Sequence, residues 1–198
     1  MKLLEGLPYR HFAVGHADVP WEYLTYSKNG LERSAEVHYD CMTLRDIARL
    51  NVEAHMQRDS YLFFWVTGPH LAIGSHIPIM RAWGFEPVAM AFVWVKLNSN
   101  WHPQWLTYME DAMFFMGMGH TTRQNAEYVI LGRRGDPPER LSKSIRQIIL
   151  APLREHSRKP DEVYRRIERY AEGPYLDLFG REQREGWTVR GNEAHKFG

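Results

Sequence analysis

The chain has 198 residues, of which 44% are hydrophobic and 25% charged, the proportions of an ordinary soluble globular protein. A chain of this length is expected to form one domain, over residues 1–198. The formal net charge of +1 points to no particular polyanionic partner. The one cysteine, Cys41, excludes an internal disulfide and a cysteine metal cluster and suits a cytoplasmic protein, and no apolar run is long enough to cross a membrane.

The first predicted element is a short buried strand over residues 12–17, which ends at Asp18-Val19-Pro20-Trp21. Proline lacks an amide hydrogen and keeps the preceding residue extended, so it stops the strand. An acidic group and a large aromatic therefore stand at the carboxyl end of a strand, where open α/β sheets bind their ligands. The alternative is a plain turn, in which Asp18 caps a helix and Trp21 belongs to the core.

Helices and strands then alternate along the chain. Thr43 and Asp46 resemble a capping box, which predicts a helix over residues 44–56. Helical spacing of apolar residues predicts a second helix over 70–83, closed by Gly84. Dense apolar runs predict strands at 60–67, 88–96, 126–133 and 175–179, and a helix is predicted to begin at Pro160. This alternation indicates an α/β fold, with a mainly parallel sheet and helices on its faces.

Charge is distributed unevenly along the chain. Residues 133–169 carry 11 basic and 6 acidic side chains, so this region is a candidate for contacts with phosphates. The alternative is an ordinary solvated surface, rich in helix.

Several motifs occur in a fixed order after Asp-Val-Pro-Trp: Leu62-Phe63-Phe64-Trp65-Val66-Thr67-Gly68, Phe92-Val93-Trp94-Val95-Lys96, His156-Ser157-Arg158-Lys159-Pro160-Asp161-Glu162, Leu176-Asp177-Leu178-Phe179-Gly180-Arg181 and Gly191-Asn192-Glu193. Together they resemble the S-adenosylmethionine-dependent adenine-N(6) methyltransferase family that includes the messenger-RNA adenosine methyltransferase catalytic subunit, and in particular its short bacterial and phage members. The resemblance covers residues 12 to 193. It implies a permuted Rossmann-like methyltransferase fold, in which the catalytic motif precedes the strand that carries the cofactor's ribose.

The resemblance assigns the catalytic role to Asp18, Val19, Pro20 and Trp21. Adenine's exocyclic amine is a poor nucleophile, because its lone pair is delocalised into the ring. The carboxylate of Asp18 and the main-chain carbonyl of Val19 would accept the two amine hydrogens, and Trp21 would stack on the base. Val19 departs from the family's usual Asp-Pro-Pro-Trp; a main-chain acceptor survives that change, whereas the rigidity of proline is lost.

The resemblance also implies a cofactor, S-adenosylmethionine, and residues that bind it. Lys159 would pair with its methionine carboxylate and Asp177 would accept bonds from its ribose hydroxyls, although the family often has Glu there. Further cofactor contacts match Arg181, Asn192 and Glu193, the last of which departs from the glutamine of some members. Tyr39 and Glu127 match positions of the target pocket. The ten histidines show no metal-binding spacing, and no metal is expected.

Several functions remain open at this point. The first is methylation of adenine in DNA, which the short chain favours over the same reaction on RNA. The second is a non-catalytic nucleic-acid-binding partner subunit, which the retention of Asp18, Trp21, Lys159 and Asp177 disfavours. The third is a nucleotide-binding module without transferase activity. Because the chain has no room for a separate recognition domain, target recognition would come from loops, a second copy or a partner chain.

Overall fold

The structure is a computed structural model that describes residues 3–21, 42–102, 113–117, 121–155, 158–192 and 194–196. The strands of the described part are β1 (Phe12–Ala17), β2 (Met56–Thr67), β3 (Glu86–Leu97), β4 (Ala126–Arg134), β5 (Ile148–Pro152), β6 (Tyr175–Leu178) and β7 (Trp187–Arg190). The α-helices are α1 (Leu44–Ala48), α2 (Gly68–Ala72), α3 (His76–Ala82) and α4 (Asp161–Tyr170), and Val52–Ala54 form a 3-10 turn.

Within the described residues, all seven strands belong to one sheet, in the order β5-β3-β4-β2-β1-β6-β7. β1 lies between β2 and β6 and is parallel to both. β6 and β7 are parallel, as are β3 and β5, whereas β4 is antiparallel to its neighbours β2 and β3. The mainly parallel sheet predicted from the sequence is thereby confirmed. The strand with the Asp-Val-Pro-Trp motif comes first in the chain and the Asp177 strand comes late, as the permuted Rossmann-like arrangement requires.

Helices cover the two faces of the sheet, and the side chains of β2 divide between them. Leu62, Phe64 and Val66 point to one face, where they join the core formed with α1 and α3. Tyr61, Phe63 and Trp65 point to the other face, where Val163 and Ile167 of α4 are buried. The apolar run of β2 is therefore continuous because the strand is covered on both sides.

The predicted helices are shorter in the structure than in the sequence analysis. The Thr43 side chain caps α1 through the amide of Asp46, as predicted, but the helix ends at Ala48 instead of residue 56. The chain needs Met56 as the strand partner of Phe12. The helix predicted over 70–83 is divided into α2 and α3 by Gly74, whose φ of +73° lies in the left-handed region.

Two strands were not predicted, β5 and β7. β5 lies at the edge of the sheet, and its residues Ile148 and Leu150 are exposed while Ile149 is buried. β7 has four residues and pairs in the described sheet with β6 alone. A short strand at an edge carries too few alternating residues to be distinguished from a loop by its pattern. No helix among the described residues has the length and apolar character needed to span a membrane.

Candidate active site

The strand ends that carry the predicted site residues meet at one edge of the sheet. β1 is followed directly by Asp18, and His16 of β1 is the register partner of Asp177 in the parallel strand β6. Because β4 is antiparallel, it brings the start of the strand, with Glu127, to the same edge, beside Thr67 at the end of β2. The segment before α4 adds Lys159. Asp18, Lys159 and Asp177, which are far apart in the sequence, thus line one cleft, and Glu127 lies behind it against Lys159.

The Asp-Val-Pro-Trp motif forms a tight turn at this edge. The amide of Trp21 donates to the carbonyl of Val19 at 2.8 Å, so the turn is centred on Pro20, whose ring suits it by fixing φ. The amide of Asp18 donates to the carbonyl of Leu178 at 3.3 Å and ties the motif to the end of β6. The Val19 carbonyl retains a second lone pair, so it can accept a further bond.

Charged side chains alternate in sign across the site. The Lys159 ammonium lies 3.1 Å from Asp18 Oδ1 and 2.6 Å from Glu127 Oε2, and its side chain is only 8% exposed. The other oxygen of Glu127 accepts from the ammonium of Lys96 at 2.5 Å. Glu127, predicted for the target pocket, is therefore the centre of a buried ion-pair chain that ends at Asp18.

The pKa values of these groups follow from burial and from their neighbours. Burial raises the pKa of Asp18, and the charge of Lys159 offsets only part of that effect. Burial also acts against ionisation of Glu127, but Lys159 and Lys96 outweigh it and lower its pKa to about 2. Although burial disfavours the Lys159 ammonium, Asp18 and Glu127 raise its pKa above the ordinary value. Glu127 is thus a permanent anion at neutral pH, while Asp18 has an increased affinity for a proton.

Asp177 lies at the floor of the cleft, and only 1% of the residue is exposed. Its Oδ1 lies 2.7 Å from Nδ1 of His16, and its Oδ2 accepts from the hydroxyl of Tyr164 at 3.0 Å. Close packing holds this arrangement, since a Cβ at Gly180 would stand 2.5 Å from Asp177 Oδ2. The carboxylate predicted for the ribose is therefore inside the cleft, and both of its oxygens already accept a bond.

Trp21 is buried in the core next to the site. Its ring stacks on His70, with centroids 4.4 Å apart, and meets Phe64 edge to face. Its Nε1 donates to the carbonyl of Trp65 at 3.3 Å, and 7% of the residue is exposed. Its ring packing is that of a core residue, so base stacking by Trp21 stays a prediction.

Of the remaining predicted site residues, one lines the cleft and the others do not or lie outside the described residues. Arg181 lines the cleft with Asp18, Lys159 and Asp177, and its charge lowers the pKa of Asp18 against the effect of burial. Asn192 is exposed in the turn after β7 and is not among the residues that line the cleft. Tyr39 and Glu193 lie outside the described residues, as does His156 of the His-Ser-Arg-Lys-Pro-Asp-Glu motif.

The structure adds four residues for which the sequence analysis gave no role: His16, Trp65, Lys96 and Tyr164. The ammonium of Lys159 lies 4.8 Å from the centre of the Trp65 ring, and the indole N–H of Trp65 donates to Nε2 of His16 at 2.7 Å. The only sequence signal for His16 is a histidine inside an apolar strand. Lys96 likewise lies inside an apolar strand, near its end, but neither position reveals its partner. In the described part of the chain, no group of three His, Cys, Asp or Glu side chains could hold a metal ion.

Comparison with known proteins places this site in a family. The chain is 30% identical over 185 residues to the human N(6)-adenosine-methyltransferase catalytic subunit METTL3, an alignment that covers 92% of this chain and 28% of that protein. It is 30% identical over 188 residues to an N(6)-adenosine-methyltransferase MT-A70-like protein of Arabidopsis thaliana, with 93% and 24% coverage. The chain thus spans about a quarter of the length of these plant and animal relatives.

A bacterial relative is closer in length. The Type II methyltransferase M.MunI of a Mycoplasma species is 30% identical over 206 residues, which cover 94% of this chain and 79% of that protein. The MT-A70 family model matches residues 12–193, the same range over which the motifs indicated the resemblance. The family inferred from the motifs is confirmed: this chain belongs to the MT-A70 family.

Proposed function

We propose that this protein is an adenine-N(6) methyltransferase, which transfers a methyl group from S-adenosylmethionine to the exocyclic amine of adenine in DNA. The observation that carries the proposal is the position of Asp18. Its carboxylate stands at the carboxyl end of β1, an interior strand of the sheet, 3.1 Å from a buried ammonium and in the same cleft as Asp177. The names of the relatives, N(6)-adenosine-methyltransferase and Type II methyltransferase, support the same reaction.

The chemistry of the cleft fits S-adenosylmethionine. This donor has an amino-acid end with both charges, a sulfonium and a ribose with two hydroxyls. In the cleft, Asp177 is the acceptor predicted for the ribose hydroxyls, Lys159 is the cation predicted for the carboxylate, and Arg181 is predicted to make a further cofactor contact. When bound, S-adenosylmethionine supplies an electrophilic methyl group. The side chains of the cleft then need to align the two reactants, since alignment accounts for much of the rate of a displacement.

Asp18 activates the amine in this proposal. Methylation would form a bond from the amine nitrogen to the methyl carbon, break the bond from that carbon to the sulfonium sulfur, which would leave as a neutral thioether, and release one of the amine protons. A carboxylate that accepts an amine hydrogen localises the nitrogen lone pair, and an acceptor with a raised pKa binds that hydrogen more strongly. Lys159 holds the carboxylate in place, and the Val19 carbonyl is the second acceptor. Glu127 also pairs with Lys159, so the charge of the ammonium is shared between two carboxylates and neutralises Asp18 only in part.

Nucleic acid is the substrate class that the relatives support, and DNA is preferred to RNA. The relative that resembles this chain in length is a bacterial Type II methyltransferase, whereas the N(6)-adenosine-methyltransferases are several times longer. Exposed basic side chains in the segment between β4 and β5, Arg140, Lys143 and Arg146, are candidates for phosphate contacts. A second copy or a partner chain would complete recognition of the target sequence.

The test is incubation with methyl-labelled S-adenosylmethionine and unmethylated DNA or RNA, followed by digestion to nucleosides and mass spectrometry. We expect labelled N(6)-methyldeoxyadenosine from DNA with the wild type and none above background with Asp18→Asn. Asp136→Asn is the matched control, because Asp136 is fully exposed on a turn at the opposite end of β4. Label in RNA alone would overturn the choice of DNA. Label in neither nucleic acid, from a protein that binds the donor, would overturn the proposed reaction.

A further inference from the structure

His16 is a polar side chain at a fully covered position of the sheet. It lies in β1 between apolar residues, is 1% exposed and has Asp177 as its register partner on β6. Aromatic rings surround it: the Tyr164 ring lies 4.8 Å away and the Trp187 ring 6.1 Å away, between centroids. A histidine in such a place must have partners for both ring nitrogens, because an unpaired buried polar group destabilises the fold.

The partners of His16 determine which of its ring nitrogens carries the hydrogen. An indole N–H can only donate, so Nε2 of His16, 2.7 Å from Nε1 of Trp65, must be the acceptor and carries no hydrogen. The hydrogen of the neutral ring is therefore on Nδ1, from which it is donated to Asp177 Oδ1 at 2.7 Å. Trp65 thus selects the one tautomer that can donate to Asp177.

Tyr164 completes the environment of Asp177. Burial and the charge of Asp177 raise the pKa of the Tyr164 phenol well above its ordinary value, so the hydroxyl stays protonated. It donates a hydrogen bond to Oδ2 of Asp177. Two donors on two different elements, β1 and α4, then fix both oxygens of one carboxylate. Each oxygen keeps lone-pair capacity for a further donor. This is the geometry of an acceptor prepared for a ligand with neighbouring hydroxyls.

We propose that His16 is a positioning residue that orients Asp177 for the ribose of the cofactor. The inference rests on the proposed function, because it takes S-adenosylmethionine as the ligand of the cleft. A residue that tunes cofactor binding then lies on β1, the strand that also ends in the catalytic motif, two residues before Asp18. His16 itself touches no reacting atom; it acts through Asp177.

Three variants test the proposal by calorimetric titration with S-adenosylmethionine in the absence of nucleic acid. His16→Phe fills the aromatic site but removes the donor to Asp177, and we expect about a tenfold to hundredfold weaker affinity, as for loss of a hydrogen bond to a charged group. His16→Asn places an amide N–H near the position of Nδ1 and should recover most of that loss. Tyr61→Phe is the control, because it removes a hydrogen bond to Pro138, distant from the cleft on the same sheet face.

A second measurement is made on the wild type, and His16→Asn serves only to assign its signal. The nitrogen-15 spectrum of the wild type at pH 7 should show one imidazole, absent in His16→Asn, as the neutral form with the hydrogen on Nδ1. A hydrogen on Nε2 would overturn the proposal, as would equal affinities of wild type and His16→Phe, or an equal loss in Tyr61→Phe. If His16→Phe does not fold, His16→Asn and the spectrum decide. If His16→Phe binds S-adenosylmethionine more weakly but the wild type methylates no adenine, the proposed reaction is wrong and the role of His16 is still supported.

Discussion

Glu127→Gln is expected to lower the free energy of unfolding by about 3 kcal/mol at pH 7. Burial alone would raise the pKa of Glu127, but Lys159 and Lys96 lower it from 4.5 to about 2 in the folded protein. A difference of one pKa unit between the folded and unfolded states is worth about 1.4 kcal/mol, which gives the stated magnitude. Glutamine keeps the shape and an acceptor oxygen, so the change removes the charge and little else.

The pH dependence gives this prediction its sign. A carboxylate whose pKa is depressed by folding stabilises the folded state fully above its unfolded pKa, 4.5, and loses that contribution as the pH falls through about 2. The difference between wild type and Glu127→Gln should therefore be constant from pH 7 to 5. It should shrink to about 1.4 kcal/mol at pH 3, where the unfolded carboxyl group is protonated and the folded one is not.

The assay is urea unfolding of both proteins at several pH values and one ionic strength. The matched control is Glu86→Gln on β3, where the carboxylate pairs with Arg81 at an exposed position, so we expect only a small change. A difference for Glu127→Gln that does not vary between pH 7 and 3 would refute the electrostatic origin of the effect. A loss no larger than that of Glu86→Gln would refute its magnitude.

Three further predictions concern the site and its surroundings. Asp18→Asn should keep the fold and cost several kcal/mol of transition-state stabilisation in single-turnover methyl transfer at saturating cofactor; a wild-type rate would show that Asp18 is only a turn residue. Trp21→Ala should lower the free energy of unfolding by about 3–5 kcal/mol, because the ring is buried against His70 and Phe64; a loss of DNA binding without any loss of stability would contradict that placement. Reversing the charges of Arg140 and Arg146 should weaken DNA binding and reduce its salt dependence without changing cofactor affinity; an equal effect from reversal of Arg45 on α1 would mean bulk electrostatics only.

Much of the architecture was predictable because dense apolar runs in the sequence mark the buried strands of the sheet. The strands that contain residues 12–17 and 60–67 are covered on both faces, and a dense run of large apolar side chains has few other uses. The cleft was predictable to the extent that motifs mark its parts: Asp18, Lys159 and Asp177 do line one cleft. The ends of the helices were less predictable, because an apolar residue such as Met56 fits the last turn of a helix as well as the first position of the strand that follows.

The buried polar network could not be predicted, for a physical reason. His16 and Asp177 are separated by 161 positions and become neighbours only through the pairing of β1 with β6. The link between Lys96 and Glu127 likewise depends on the antiparallel insertion of β4, which brings the start of that strand to the carboxyl ends of the others. A motif shows that a residue has a role, whereas its hydrogen-bond partner is a property of sheet order.

Sheet order also has a consequence for biosynthesis. β1 leaves the ribosome well before β6, one of its two neighbours in the sheet, because β6 begins only at Tyr175. Until β6 is made, the nascent chain therefore presents one side of β1, over residues 14–17, as an unpaired edge with open amides and carbonyls. Such an edge is a template that recruits other chains. We expect polypeptides that stop before residue 175 to aggregate, and chaperones that bind apolar extended segments to hold the growing chain at β1 until its last partner arrives.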